Sequence, residues 1–301
     1  MKNIIEYYYN IKIDKLSQEE ENYSLISNNN NYILKPYEYD QNRINEQYKL
    51  NINININNQI IIDNIIPNKY NSLITNINNQ NYILIKKQNK ITPSLRNIAY
   101  FERINLPNIY TNLERNNWEI LWSDMIDYYE TQIGENSKKY PKIRETFDYY
   151  IGLTENAISY IVNTKNTREK EVSDQKVLSH NTILLPLEDP ENIVLDHKAR
   201  DVAEYIKESF YNNNENIYLE LEEYFRYNYY SQYGMQILIG RILYPSHYFN
   251  IYDKIISGKA KEEELGKIIS QNKKYEIYIF SIYSYLRKYY DMPFPEWLSP
   301  H

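Results

Sequence analysis

Between Leu178 and Lys207 the chain reads LSHNTILLPLEDPENIVLDHKARDVAEYIK, and no other stretch limits the fold so tightly. The apolar pair Val177-Leu178 leads into Ser179-His180-Asn181, and a polar, proline-punctuated loop follows. Ile193-Val194-Leu195 then has the length and β-branched content of a short buried strand, which carries Asp196-His197 to its C-terminal end. Arg200-Asp201 opens a helix-periodic run through Val202, Ala203, Tyr205 and Ile206, with Asp201 placed as its N-cap. The expected layout is strand, loop, strand ending in aspartate, then helix.

That layout resembles the catalytic region of kinases, where a histidine-bearing loop carries the base and a later aspartate holds magnesium. Small-molecule kinases of the aminoglycoside phosphotransferase type have His-Gly-Asp, an asparagine five residues on, and then Ile-Asp-Phe/Trp. Here His180 is followed by Asn181 and Thr182, so threonine stands at the base position, and Leu187 stands where the asparagine would be. Asp196 matches the metal-binding aspartate. The resemblance therefore implies a kinase fold whose loop is degenerate at His180, Asn181 and Thr182. Asp196 remains as a candidate metal ligand, and Arg200 and Asp201 are expected in structural roles.

The first glycine of the chain is Gly134. A phosphate-cradling loop uses glycines to bring backbone N–H groups up to the phosphates, so none is expected in the first 133 residues. Lys35, Lys86 and Lys87 lie at strand ends, positions from which a lysine can reach phosphate, although solvated strand lysines are commoner. The absence of cysteine excludes disulfides, thiolate metal sites and a thiol nucleophile. Net charge is −6, with 34 basic and 40 acidic residues, which argues against a nucleic-acid-binding face. No apolar run approaches a membrane span, and no apolar segment follows Met1-Lys2-Asn3, so synthesis in the cytoplasm is expected.

Residues 1–92 are expected to form a small β-rich lobe and residues 93–301 a larger helical one, divided at Thr92-Pro93. In the first, Tyr23–Ile26 and Tyr32–Lys35 flank a turn at Asn28–Asn31. Ile52, Ile54 and Ile56 alternate with asparagine, the period of a half-buried strand. Gln59–Asp63 and Tyr82–Lys86 are read as further strands. In the second, Trp118, Leu121, Trp122, Met125, Ile126 and Tyr129 fall on one helical face. Phe147–Val162 is helical with Thr154 as its cap, and Asn163–Asp174 is a charged connector. Met235–Leu243 is a buried helix continuing past a kink at Pro245. His247 is a core histidine, and Trp297 docks back on the domain.

Several separated blocks resemble one family: NWEILW (Asn117–Trp122), DYYIGLTENAISYIV (Asp148–Val162), Ser179-His180, LDHKARDVAEYI (Leu195–Ile206), RILYPSHYF (Arg241–Phe249) and PEWL (Pro295–Leu298). They are similar to the YutH-type spore coat proteins, relatives of the CotS-like group with the aminoglycoside phosphotransferase and choline kinase fold. The resemblance implies an α+β, bilobal protein kinase-like fold and a place in the bacterial endospore coat, with other coat proteins as partners. It implies no required cofactor, with ATP and Mg²⁺ as the ligands if any. A non-catalytic structural protein is the leading expectation. The alternatives are a residual small-molecule phosphotransferase using Asp196 and a nucleotide-binding pseudokinase.

Overall fold

A computed structural model describes residues 1–57, 61–107, 109–136, 139–164 and 176–298. By internal contacts the chain divides into two compact units, Met1–Glu114 with Lys176–Asp196, and Arg115–Gln175 with His197–His301. The expected division at Thr92-Pro93 falls inside the first unit.

The first unit is built on an antiparallel sheet of β1 (Lys15–Glu19), β2 (Asn22–Ser27), β3 (Asn30–Pro36), β4 (Asn64–Ile66), β5 (Thr75–Ile77) and β6 (Gln80–Lys86). Its order is β1-β2-β3-β6-β4, with β5 also paired to β6. Both faces of β6 are covered, which is why YILI reads as an unbroken apolar run. Tyr82 and Leu84 pack with Ile5 and Tyr9 of helix α1 (Lys2–Tyr9), while Ile83 and Ile85 pack with Ile44 of helix α2 (Gln41–Asn57). Asparagine does the turning that glycine does elsewhere. Asn28-Asn29 (φ 49° and 60°) close the β2–β3 hairpin and Asn78-Asn79 (φ 51° and 66°) the β5–β6 hairpin. Asparagine tolerates this left-handed region because its short amide bonds locally.

The alternating Ile52, Ile54 and Ile56 are not a strand; they belong to α2. Asp40 starts this helix, its carboxylate accepting the N–H groups of Asn42 (2.7 Å) and Arg43 (2.9 Å). Ile44, Gln47, Leu50, Asn51 and Ile54 form the buried face, whereas Ile52 and Ile56 are exposed. Asparagine survives on the inner face by pairing with backbone. The Asn51 amide donates to the Asp63 carbonyl (2.6 Å), and Asn55 both donates to the Ile62 carbonyl (3.0 Å) and accepts its N–H (2.8 Å). These side-chain bonds substitute for a ladder, and the strand expected at Gln59–Asp63 lies later, at Asn64–Ile66. Gln59 and Ile60 are outside the described residues. The unit also holds α3 (Leu95–Glu102), capped by Ser94, against β7 (Lys176–His180), which pairs with β8 (Ile193–His197).

The second unit is helical: α4 (Trp118–Asn136), α5 (Pro141–Thr164), α6 (Ala199–Tyr211), α7 (Ile217–Tyr227), α8 (Gln232–Leu243), α9 (Ser246–Ile256), α10 (Leu265–Ile269) and α11 (Asn272–Leu286). Every residue of α8 from Tyr233 to Leu243 is buried, and it packs on α5 and α6. Gly240 allows the approach to α5, since a Cβ there would lie 2.5 Å from Ile161 Cγ1. Aromatic rings fill the core. Tyr150 stacks on Tyr248 at 3.7 Å, Trp122 on Tyr244 at 4.3 Å and Tyr129 on Phe249 at 4.5 Å.

Three local expectations are corrected. Thr154 does not cap α5; it is buried mid-helix, and its hydroxyl donates to the Tyr150 carbonyl at 2.9 Å. Leu121 points outward, 45% exposed. Tyr244 is extended (ψ 122°), so α9 starts afresh at Ser246 and does not continue α8 through a kink. Trp297 does come back, its ring 6.5 Å from that of Tyr149. Of the expected connector at Asn163–Asp174, Asn163 and Thr164 end α5, and the remainder lies outside the described residues. Among the described residues, no helix is long and apolar enough to cross a membrane.

Candidate functional site

In the first unit, β7 and β8 bring His180 and Asp196 to adjoining strands, and both side chains are fully buried. The His180 ring meets Phe101 of α3 edge-on at 4.9 Å, and its Nε2 lies 3.1 Å from the Leu187 carbonyl. A carbonyl only accepts, so Nε2 carries the proton and the ring holds the loop in shape. Asn181 donates from its backbone N–H to the Asn192 carbonyl (2.7 Å) and from its amide to the Glu191 carbonyl (3.2 Å). Thr182 donates its N–H to Asn192 Oδ1 (3.2 Å), and its hydroxyl accepts the N–H of Leu184 (3.2 Å). Leu187 is fully buried. The loop is closed by its own polar groups.

Lys35 lies on the third strand, one of the strand-end lysines that the sequence offered as able to reach phosphate. Here its Nζ lies 2.8 Å from Asp189 Oδ2 and pairs also with Glu191, both from the β7–β8 loop. Burial opposes the ammonium charge, but these two carboxylates outweigh it and hold the Lys35 pKa above the ordinary lysine value. Glu46 of α2 is used elsewhere, accepting the backbone and side-chain N–H groups of Asn112 at 2.8 and 2.6 Å.

Asp63 was not among the residues singled out from sequence. Its side chain is fully buried, pairs with Lys87 and accepts the Gln88 N–H at 2.6 Å. Burial pushes its carboxyl above the usual range in spite of those donors. Glu188 joins the same region. Its carbonyl accepts the Asp63 N–H (2.9 Å), and its carboxylate accepts the Ile91 N–H (3.0 Å).

Several groups that a kinase aims at magnesium nucleotide are replaced here. The turn between β1 and β2 is Glu20-Glu21, with Glu20 at φ 54°, and follows Glu19 at the end of β1. Three carboxylates at a hairpin tip repel phosphate, where a glycine-rich loop would offer N–H donors. The asparagine position is apolar, held by Leu187. The Glu19-Glu20-Glu21 run was legible in the sequence as a charge pattern on a turn.

The other sequence candidates lie in the second unit. Asp201 is buried in the first turn of α6 and is not its N-cap; Lys198 holds that position without a side-chain cap bond. His197 takes over part of the capping, its Nδ1 accepting the Ala199 N–H at 3.1 Å. Arg200 is in the same first turn, half-buried. His247 lies among Tyr150, Tyr211 and Tyr275, and burial lowers its pKa to about 3, so it is a neutral core histidine.

An antiparallel-sheet unit followed by a mostly helical one, with a histidine loop and an aspartate-ended strand, defines the kinase-like phosphotransferase fold. Solved structures of that class match the chain. An aminoglycoside phosphotransferase from Alicyclobacillus acidocaldarius subsp. acidocaldarius DSM 446 superimposes with a TM-score of 0.68 over 96% of this chain and 97% of that one, at 10% identity. The AMP-bound complex of a spectinomycin phosphotransferase does so with a TM-score of 0.59 over 90% and 93%, at 12% identity. The profile of the family described as "Spore coat putative kinase YutH" matches residues 2–282, and the chain belongs to that family. It is 29% identical over 184 residues to the endospore coat-associated protein YutH of Bacillus subtilis (strain 168). That match covers 54% of this chain and about half, 54%, of the curated relative.

Proposed function

We propose that this chain is a non-catalytic, kinase-fold structural protein of the endospore coat, acting through its protein contacts. The observation that carries the reading is Thr182 at the base position. Its hydroxyl accepts the Leu184 N–H, and a neutral alcohol, whose conjugate acid is a strong acid, is too weak a base to take a proton from a substrate hydroxyl. The acidic β1–β2 turn, the pairing of Lys35 with Asp189 and Glu191, and the apolar Leu187 support the same reading. Each removes a group that phosphoryl transfer needs: phosphate donors, the phosphate lysine and a metal ligand. Asp196 retains the residue type of the metal-binding aspartate. The spectinomycin enzyme holds AMP; this chain needs no cofactor, and ATP with Mg²⁺ is the ligand pair its fold would take if any.

Made in the mother-cell cytoplasm, the protein reaches the forespore by binding other coat proteins. Its 35 tyrosines include the strongly exposed Tyr227, Tyr229 and Tyr289, and large rigid aromatics are the residues that anchor protein interfaces. A fluorescent fusion followed through sporulation tests this. Recruitment to the forespore is expected for the wild type and for Asp196→Ala, and dispersal for a variant with Tyr227, Tyr229 and Tyr289 changed to serine. A wild-type fusion that stays diffuse, or recruitment lost in a folded Asp196→Ala variant, overturns the proposal.

A further inference from the structure

Four consecutive residues of the β7–β8 loop, Glu188-Asp189-Pro190-Glu191, each bond to an element of the sheet unit. Glu188 accepts the Asp63 N–H through its carbonyl and the Ile91 N–H through its carboxylate. Asp189 and Glu191 pair with Lys35 of β3. The Pro190 carbonyl accepts from the Gln47 amide of α2 at 3.3 Å. The local turn is held independently, since Asp189 Oδ1 accepts the Glu191 N–H at 3.0 Å and the Asp189 carbonyl accepts the Asn192 N–H at 2.9 Å. Two carboxylates therefore converge, pre-shaped, on one ammonium whose side chain is only 16% exposed. Arg43 adds a second cation. It is nine-tenths buried, it exerts a charge effect on Glu191, and its Nε has no hydrogen-bond partner.

Two anionic groups held by a lysine, with an arginine beside them, is the arrangement that such cations make with adjacent phosphates of a nucleotide. We propose that Glu188–Glu191 is a built-in anionic occupant of the Lys35 site, an internal substitute for a polyphosphate that keeps the site closed to phosphorylated ligands. This deepens the non-catalytic reading and rests on it for the assignment of Lys35 as the phosphate lysine. A free anion competes with partners tethered to the same chain, whose effective concentration is in the millimolar range or above. The acidic Glu20-Glu21 turn adds repulsion of the same sign. Removing the two charges while keeping shape and hydrogen-bonding atoms opens the site.

The test is titration calorimetry of the full chain with inorganic tripolyphosphate and, separately, with ATP and Mg²⁺. Wild type is expected to show no binding up to millimolar ligand. Asp189→Asn with Glu191→Gln is expected to bind tripolyphosphate at least about tenfold more tightly, and adding Lys35→Met to abolish the gain. Glu191→Gln alone retains Asp189 as the partner of Lys35, guards against loss of folding and is expected to give a smaller gain. A folded double variant that binds no better than wild type, or a gain that persists after Lys35→Met, overturns the proposal and leaves the non-catalytic reading standing. A gain without turnover supports both. A gain accompanied by ATP turnover supports the internal occupant and defeats the non-catalytic reading.

Discussion

Each of the two units is stabilised internally by a different chemistry. The sheet unit fixes its candidate site with charges and amides: Lys35 with Asp189 and Glu191, Asp63 with Lys87 and the Gln88 N–H, Asn51 and Asn55 with backbone. The helical unit has a stacked aromatic core, with Tyr129, Tyr150, Tyr248 and Tyr252 almost wholly buried. Its buried charges are fewer. Lys207 Nζ, 1% exposed at the side chain, has Glu204, the Arg241 and Tyr244 carbonyls and Ser246 within hydrogen-bond distance for its three N–H groups. The lesson concerns tolerance. Apolar ring packing fails in proportion to the volume removed, whereas a polar net fails when one partner is lost and the other is left buried.

The largest effect is expected in the aromatic core. Tyr248→Ala removes a ring stacked at 3.7 Å on Tyr150 and is expected to cost about 3–5 kcal/mol, as for other buried aromatics. Urea unfolding followed by near-ultraviolet circular dichroism measures it, and a loss below about 1 kcal/mol would show that the core collapses freely.

How much of this was legible in the sequence depends on which force decides each element. Tyr82–Lys86 and Met235–Leu243 were legible because both are predominantly apolar runs, and burial does most to fix them. Ile52, Ile54 and Ile56 misled because asparagine at 51 and 55 looks like a solvent-facing residue. In the fold these amides bond to the backbone at Asp63 and Ile62, and the helical spacing of Ile44, Gln47, Leu50, Asn51 and Ile54 wins. The Asp40 cap was the available signal. His180 ends β7, Asn181 and Thr182 follow it, and Asp196 lies near the end of β8, the strand-loop-strand order that the apolar runs indicated. The partners of Lys35 were not, because Asp189 and Glu191 lie more than 150 residues away and no local spacing encodes that pairing. Thr154 and Asp201 resembled caps by residue type, yet tertiary burial put both inside helices.

The next effect tests the polar net. Asp63→Asn keeps the shape but leaves Lys87 without its carboxylate, and it is expected to cost about 2 kcal/mol, the scale of a hydrogen bond to a charged group. Raising salt is expected to change this loss little, because Asp63 is fully buried and screening acts on exposed charges. A loss that disappears in 1 M salt would place the pair at the surface.

A third measurement separates the units by pH. His247 has its pKa lowered by burial from 6.5 to about 3. Above pH 6.5 it is neutral folded and unfolded, so its contribution to stability is fully present. Below that, the unfolded chain binds a proton that the folded chain refuses, and stability falls by up to about 1.4 kcal/mol per pH unit until the folded pKa is reached. His247→Leu is expected to remove this slope between pH 6 and 4. An unchanged slope would assign the acid sensitivity to other groups.

The central claim is that a complete kinase-like fold here performs no phosphoryl transfer. Its most direct test follows ATP with Mg²⁺ and the purified chain by ³¹P nuclear magnetic resonance, in the presence of an aminoglycoside or choline as acceptor. The account predicts γ-phosphate loss no faster than in buffer, and the same rate for Asp196→Ala. Transfer to either acceptor, or phosphate release above buffer that Asp196→Ala abolishes in a folded protein, would contradict it.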